Sequence, residues 1–470
     1  MENGAIKENM VVCRTNQGVG VRGGISRLTR HAVTFEVFNP SFVLQTSEVL
    51  NEFSIILSDR QVYSGRAVIA SVINTGTTVV CEATLDESSL DMTALRSGAN
   101  DLRAGFEEFL RDWGKNYKVR PEFKVLLTDI QSFLMDLRLW MERVELGIRS
   151  LPAAERAQTE QQAARDLTAI AMPAVGALFE KFEEATRDIK EDLQAAHRAF
   201  CRRLLHPYLL CSPFMNRIYV KPLGYAGDYE MVSMILRDPY EGGSLYAKIL
   251  NAFILSQAPA VAHRNRITFL TQRLIEETNR KVQRRERARI FNIGCGPAME
   301  IQNFLRQHPL SNHAQFTLLD ANDETLLVIG QTLEEIKRKN HRQTQVKLVK
   351  KSVQQLLKQA YKPKADGLEF DFIYCAGLFD YLPDFICEKL LETFYSMLAP
   401  GGLLVATNVD PYNPIKNIME YIFEWHLIYR TGRELGALAP KQAPPEAVSI
   451  TAEPSSSNVF LEVRKPLPVP

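Results

Sequence analysis

The chain has 470 residues, enough for two or three domains at roughly 100–200 residues each. Its 56 Lys and Arg stand against 55 Asp and Glu, a net charge of +1 that leaves no overall basic field to hold a polynucleotide. The start MENGAIKENM has no apolar signal core, and no run reaches ~18 apolar residues, so neither a leader nor a transmembrane span is expected.

Residues 11–86 carry short β-branched runs at 33–38, 52–57, 67–73 and 77–83, with an Asn-Thr-Gly hairpin signal between the last two. This spacing predicts a small β-barrel or sandwich. From about 91 to 210 Gly and Pro are sparse and apolar residues recur at helical spacing. Leu126, Leu127, Ile130, Phe133, Leu134, Leu137 and Trp140 mark one stripe, and Phe179, Phe182 and Ile189 another. The reading is a helical bundle or long hairpin, broken at Ser150-Leu-Pro, with core or dimer-seam stripes. Residues 207–238 read as an irregular stretch before a helix, and 244–281 as two helices parted near Pro259.

From Ala288 the rhythm becomes strand–helix alternation, with strands at 288–293, 315–319, 345–350, 370–375 and 402–408 and two late β-rich stretches at 448–452 and 458–463. That pattern predicts a parallel sheet with crossover helices and an antiparallel close. Seven dispersed cysteines with no C-x-x-C pair fit a reducing cytoplasm and supply no metal or redox signature.

The strongest chemical signal is the turn in 288–300 (ARIFNIGCGPAME), where an apolar strand runs into Gly294-Cys295-Gly296. Paired glycines there let the backbone turn tightly and approach a ligand closely. The second strand ends at Asp320, about two dozen residues on, where a carboxylate can accept both hydroxyls of a ribose. The fourth strand runs through 370–384 (FDFIYCAGLFDYLPD), and Pro400-Gly-Gly turns the chain into the fifth.

In this order and spacing, these elements resemble the class I S-adenosylmethionine-dependent methyltransferases over about residues 286–464. The resemblance implies that Gly294 and Gly296, with Asn292 and Cys295 around them, hold the methionine part of S-adenosylmethionine. It implies ribose binding by Asp320 beside Ala321, adenine contact at Ser352 and Val353, and a methyl-transfer centre lined by Ala376, Gly377 and Leu378. Two features depart from the family pattern: Ala298 replaces the third glycine, and no acidic residue follows the third strand. A dehydrogenase built on an open α/β sheet is the structural competitor; the late antiparallel strands and the Asp371/Pro-Gly-Gly pair argue against it.

A second constellation lies at 221–230 (KPLGYAGDYE). Tyr225 and Asp228 there are candidate catalytic groups of a cap over the pocket, or else a packed ring and the N-terminal cap of the next helix. With 425–430 (WHLIYR), this segment resembles a bacterial subgroup associated with the methyl ester of 3-hydroxypalmitic acid. That resemblance implies a fatty-acyl carboxylate acceptor, with Arg430 or Lys221 as its clamp. His426 is either a general base or a buried histidine beside Trp425. The N-terminal barrel resembles a PilZ domain over 24–37 and 59–73, but keeps only Ser26 of one motif and has Arg14 and Arg22 at the wrong spacing for the other. Cyclic di-GMP binding is therefore not expected.

The organisation expected is multidomain: a PilZ-like β-barrel over 1–90, a helical connector and candidate homodimer seam over 91–205, a helical cap over 206–285, and a Rossmann-like seven-stranded methyltransferase sheet over 286–470. The expected reaction is O-methylation of a small molecule or lipid-like acid in the cytoplasm. The rivals are nitrogen or protein methylation and, in another class, a cofactor-sensing scaffold without turnover. Placement of the acceptor behind the methyl group is the main demand on such an enzyme, since the sulfonium is already activated.

Overall fold

The computed structural model describes residues 9–15, 18–29, 31–38, 44–57, 60–74, 78–86, 119–360 and 369–468. In chain order the strands and helices are β1 (Met10–Arg14), β2 (Gly20–Leu28), β3 (Ala32–Phe38), β4 (Val49–Leu57), β5 (Arg60–Asn74), β6 (Thr78–Leu85), α1 (Pro121–Arg149), α2 (Ala153–Arg187), α3 (Glu191–Leu209) and α4 (Pro213–Val220). They continue with α5 (Tyr229–Leu236), α6 (Leu245–Ser256), α7 (Ala258–Val282), β7 (Ala288–Ile293), α8 (Met299–Gln307), β8 (Ala314–Asp320), α9 (Asp323–Lys339), β9 (Gln345–Lys350) and α10 (Val353–Ala360). The last are β10 (Phe370–Cys375), α11 (Asp384–Met397), β11 (Leu398–Val409), α12 (Lys416–Phe423), α13 (Gly432–Ala437), β12 (Val448–Ala452) and β13 (Asn458–Arg464).

The chain forms two compact units, where the sequence suggested four consecutive domains. One comprises 1–226, 238–255 and 414–426; the other comprises 227–237, 256–413 and 427–470. Segment 414–426 lies between β11 and β12 in sequence, yet belongs to the first unit.

In the first unit β1 pairs antiparallel with both β2 and β4, closing a barrel of order β1-β2-β3-β6-β5-β4. Alternating side chains fill it, with Phe35, Phe53 and Tyr63 edge-on at 5.9 and 6.1 Å. Sequence reading found four of these six strands. The pairing Asn74↔Val79 bears out the hairpin between the last two, whose Thr75-Gly76 tip lies outside the described residues. Helices α1 and α2 part at Ser150, as the Ser-Leu-Pro signal predicts. The buried face of α1 is Phe123, Leu127, Ile130, Leu134, Met141 and Ile148, whereas Trp140, placed in the predicted stripe, is half exposed. The irregular stretch expected over 207–238 contains α4, capped by the Ser212 hydroxyl on the Met215 amide, and ends in α5.

Segment 414–426 is tied into this unit by acids. Glu183 accepts the Asn417 and Ile418 amides at the start of α12. Glu420 pairs with Arg198 at 3.2 Å, and Glu424 pairs with Arg66 at 3.0 Å and Arg202 at 3.1 Å.

The second unit holds a seven-stranded sheet of order β12-β13-β11-β10-β7-β8-β9. β9, β8, β7, β10 and β11 are parallel, and β13 is antiparallel to both β11 and β12. The strand positions and count match the sequence expectation because each parallel strand is an apolar run between amphipathic helices. The order reverses at β7, which lies between β8 and β10. A crevice at the C-terminal ends of β7 and β10 is where open α/β sheets bind ligands.

Candidate functional site

The turn after β7 is held from the neighbouring strand. The Gly294 and Cys295 amides both donate to the Leu319 carbonyl, at 2.8 and 3.1 Å. Gly294 has φ +65° and Gly296 φ +48°, the left-handed region that favours glycine. A β-carbon on Gly296 would meet nothing within 4 Å, so the turn leaves open space there. Ala298 takes the same conformation at φ +46°, so the substitution noted in the sequence keeps the shape of the turn.

Asp320 ends β8 and closes this cradle. Its Oδ2 accepts the Gly296 amide at 3.2 Å and its Oδ1 the Asn322 amide at 3.0 Å. Burial raises its pKa, and these backbone donors oppose that rise. A carboxylate offers about four lone-pair sites, so capacity remains for a hydroxyl donor. Ala321 is exposed beside it.

On the other side of the crevice, β10 ends in Ala376-Gly377-Leu378. Gly377 has φ +89° and its amide donates to the Thr407 hydroxyl. Leu378 lies 3.7 Å from where a Gly294 β-carbon would sit, so the two loops meet. Asp380 follows, buried, its Oδ1 accepting the Val409 amide at 2.7 Å. Burial pushes its pKa up to about 6, against the pull of Arg266.

Several sequence-predicted residues have other duties. The Asn292 amide donates to Glu300 Oε1 at 3.2 Å, and the Tyr374 hydroxyl donates to that same oxygen at 2.7 Å. Asn292 therefore belongs to a buried network with Glu300 rather than presenting its side chain to a cofactor. The Ser352 hydroxyl accepts the Gln355 amide while Gln355 Oε1 accepts the Ser352 amide, a reciprocal cap on α10. Val353 is buried at the start of that helix, and Cys295 is buried with its thiol raised well above its ordinary value by burial.

The four candidate catalytic residues divide between the units, Tyr225 and His426 in the first and Asp228 and Arg430 in the second. Asp228 caps α5, accepting the Met231 amide at 2.8 Å. The loop before it is held tightly, since a β-carbon on Gly227 would sit 2.6 Å from the Tyr381 hydroxyl. All five N–H groups of Arg430 are bonded: to Asp384 through Nε and Nη2, to the Phe379 and Leu382 carbonyls, and to the Asn408 side chain. No donor remains to clamp an acceptor, so the clamp role given to Arg430 is corrected. Tyr225, Lys221 and His426 belong to the first unit. The Lys221 ammonium is buried and donates to the Phe423 carbonyl at 3.0 Å, which removes it as a clamp too. His426 is buried with its backbone bonded to Ser47; burial and Arg198 hold its pKa well below the ordinary value. It stays neutral, a packed histidine of that unit.

Sequence reading missed two residues here. Glu300, in the first turn of α8, joins Asn292 and Tyr374 as described. Arg266, on α7, is 6% exposed, and its guanidinium lies 3.1 Å from where a Gly377 β-carbon would sit. The available signal was a charge set among Ala262, Ile267 and Leu270, the apolar stripe of its own helix.

Residues 291–404 match the family model described as a methyltransferase domain. The matched segment runs from β7 into β11 and contains the Gly294–Gly296 turn, Asp320 and the Ala376–Leu378 loop. An uncharacterized protein of Rickettsia prowazekii (strain Madrid E) is 26% identical over 143 residues, covering 30% of this chain and 51% of that protein. The chain thus spans about half the length of this curated relative. Among solved structures, magnesium protoporphyrin IX methyltransferase from Synechocystis PCC 6803 with bound S-adenosylhomocysteine is similar at 13% identity and TM-score 0.32, over 45% of this chain and 87% of that one. The N-methyltransferase NodS from Bradyrhizobium japonicum WM9 with the same ligand is similar at 15% identity and TM-score 0.29, over 51% and 98%.

Proposed function

We propose that the protein methylates a carboxylate oxygen of a small, lipid-like acid. The Gly294–Gly296 turn would hold the methionine end of the cofactor, Asp320 the ribose, the start of α10 at Val353 the adenine, and Ala376–Leu378 would line the transfer centre. The open space at Gly296 and the free lone pairs of Asp320 fit those roles. The cofactor supplies an activated methyl group: a C–O bond forms at the acceptor, the C–S bond breaks, and the electron pair stays on sulfur.

The observation that carries the acceptor class is how the ionisable groups near the transfer loop are committed. Asp380 accepts the Val409 amide, Glu300 accepts Asn292 and Tyr374, and Asp228 caps a helix. Burial pushes the Cys375 thiol far up, and it pulls His263 down to about 3 while the ring bonds the Pro259 carbonyl. An acceptor that has no proton to lose suits such a site, because it needs no base. Among the described residues no single helix is long and apolar enough to cross a membrane.

The test is incubation with methyl-labelled S-adenosylmethionine and cell extract, followed by alkaline hydrolysis. A carboxyl ester releases the label as volatile methanol. Label that survives base would move the assignment to nitrogen or protein methylation, and no incorporation would favour the sensing scaffold.

The barrel is proposed as a regulatory, degenerate PilZ-like domain. Support comes from Arg14, engaged with Glu52, and from Ser26, whose hydroxyl donates to the Thr34 carbonyl. The helices over 121–209 are the proposed homodimer seam, supported by exposed Val125, Leu139, Trp140, Leu146 and Ile170.

A further inference from the structure

Arg266 is set against the transfer loop without a bonded partner on Nη1. That atom is buried and makes no hydrogen bond. The guanidinium approaches the α-carbon face of Gly377, with Nη1 and Nη2 lying 3.1 and 3.3 Å from where a β-carbon would be. Any other residue at 377 would push against the cation, so the glycine that tightens this loop also makes room for Arg266. Asp380 and Glu300 are close enough to favour its charge, but their bonds go elsewhere: Asp380 to Val409, Glu300 to Asn292 and Tyr374. Burying a guanidinium with an unbonded N–H is costly unless a ligand completes it. A planar fork at this position matches a carboxylate.

We propose that Arg266 is the carboxylate-binding residue of the methyltransferase site. The assignment rests on the proposed reading of the site as a cofactor crevice, and it moves the clamp role from the fully bonded Arg430 to Arg266. Two carboxylates belong to such a reaction: the one on the amino-acid end of the cofactor and the one on the proposed acceptor. The same guanidinium chemistry serves either. Leu378, the neighbour of Gly377, touches the Gly294 turn, so the cation stands where both ends of the reaction converge.

The test is calorimetric and needs no turnover. S-adenosylhomocysteine and its decarboxylated analogue are titrated into the full-length wild type and into Arg266→Met and Arg266→Lys. Dodecanoate and dodecanamide are then titrated into the same proteins loaded with S-adenosylhomocysteine. A charge-assisted bond lost from a buried site corresponds to about a 10- to 100-fold drop in affinity. If the cofactor's carboxylate is the partner, Arg266→Met loses that factor for S-adenosylhomocysteine and nothing for the decarboxylated analogue, and Arg266→Lys recovers part of it. If the acceptor's carboxylate is the partner, the loss falls on dodecanoate and spares dodecanamide. Should Arg266→Met not fold, the wild type alone decides, because each acid must bind about 10-fold or more tighter than its uncharged counterpart in at least one pair. Equal affinities in both pairs overturn the assignment of Arg266 while leaving the cofactor crevice intact. Failure of the wild type to bind S-adenosylhomocysteine at all overturns the crevice reading, and this assignment with it.

Discussion

The two units each bury a carboxylate, and they treat it in opposite ways. Glu424 in the first unit is 3% exposed and is met by two guanidiniums, with Lys221 also close enough to favour its charge. Burial alone would raise its pKa, but Arg202, Arg66 and Lys221 together pull it down to about 2. Asp320 in the second unit is 8% exposed and meets only backbone amides, so burial wins and its pKa rises. Two arginines of the second unit show a similar contrast: Arg430 uses every N–H it has, whereas Arg266 leaves Nη1 unbonded. A buried charge whose partners are complete is part of the scaffold. A buried charge with bonding capacity left over, beside open space, is part of a site.

The largest expected effect falls on the scaffold side. Glu424→Ala leaves Arg66, Arg202 and Lys221 without their counter-charge, and breaking a buried pair from one side costs about 3–5 kcal/mol. Denaturant unfolding of the variant should show a loss of that order, and a loss below about 1 kcal/mol would break the comparison. The pH dependence follows from the same group. A carboxyl lowered from 4.5 unfolded to about 2 folded contributes stability that is fully present above pH ~5 and is lost as pH falls towards 2. Its worth is roughly 3 kcal/mol. Unfolding midpoints measured between pH 6 and pH 3 should decline in the wild type and decline less in Glu424→Gln.

On the site side the effect should appear in ligand affinity rather than in the fold. Asp320→Ala removes the hydroxyl acceptor and the anchor of the Gly296 amide. Binding of S-adenosylhomocysteine should weaken about 100-fold, from charge-assisted hydrogen bonding lost. Circular dichroism should be unchanged, since β8 keeps its pairing with β7 and β9. Equal affinity in the two proteins would remove the ribose assignment.

How much of this could be read beforehand tracks the range of the interactions. The seven-stranded sheet was legible because each parallel strand is a short apolar run, and Gly294, Gly296 and Asp320 were legible because a fixed offset along the chain joins them. In the barrel, β2 (GVRGGISRL) escaped notice because three glycines and two arginines hide its alternation, and β1 is only five residues long. The face of α1 was misread because apolar neighbours such as Leu126 and Leu127 widen the stripe, and only packing selects Leu127. Glu424 was beyond reach: its partner Arg66 lies 358 residues away. No local pattern marks a carboxylate whose counter-charge comes from so distant a stretch of the chain. Arg266 failed for the opposite reason: its one local signal, a charge within the apolar stripe of its helix, is weak until its burial is known.

Ser352 gives the smallest effect and the sharpest contrast with Asp320, because both were assigned to the cofactor from position alone. The Ser352 hydroxyl is tied into the reciprocal cap with Gln355, the kind of local bond that belongs to a scaffold. Its removal in Ser352→Ala should cost about 1 kcal/mol of stability, the usual worth of a helix N-cap. If the hydroxyl has no second role, the affinity for S-adenosylhomocysteine should change less than threefold. Ser352→Thr keeps the capping oxygen and should retain the stability that Ser352→Ala loses. A tenfold loss of affinity in Ser352→Ala that Ser352→Thr avoids would instead show one hydroxyl serving helix and ligand together. A group with complete partners could then still be part of a site, and the rule separating scaffold from site would have to count lone pairs rather than bonds.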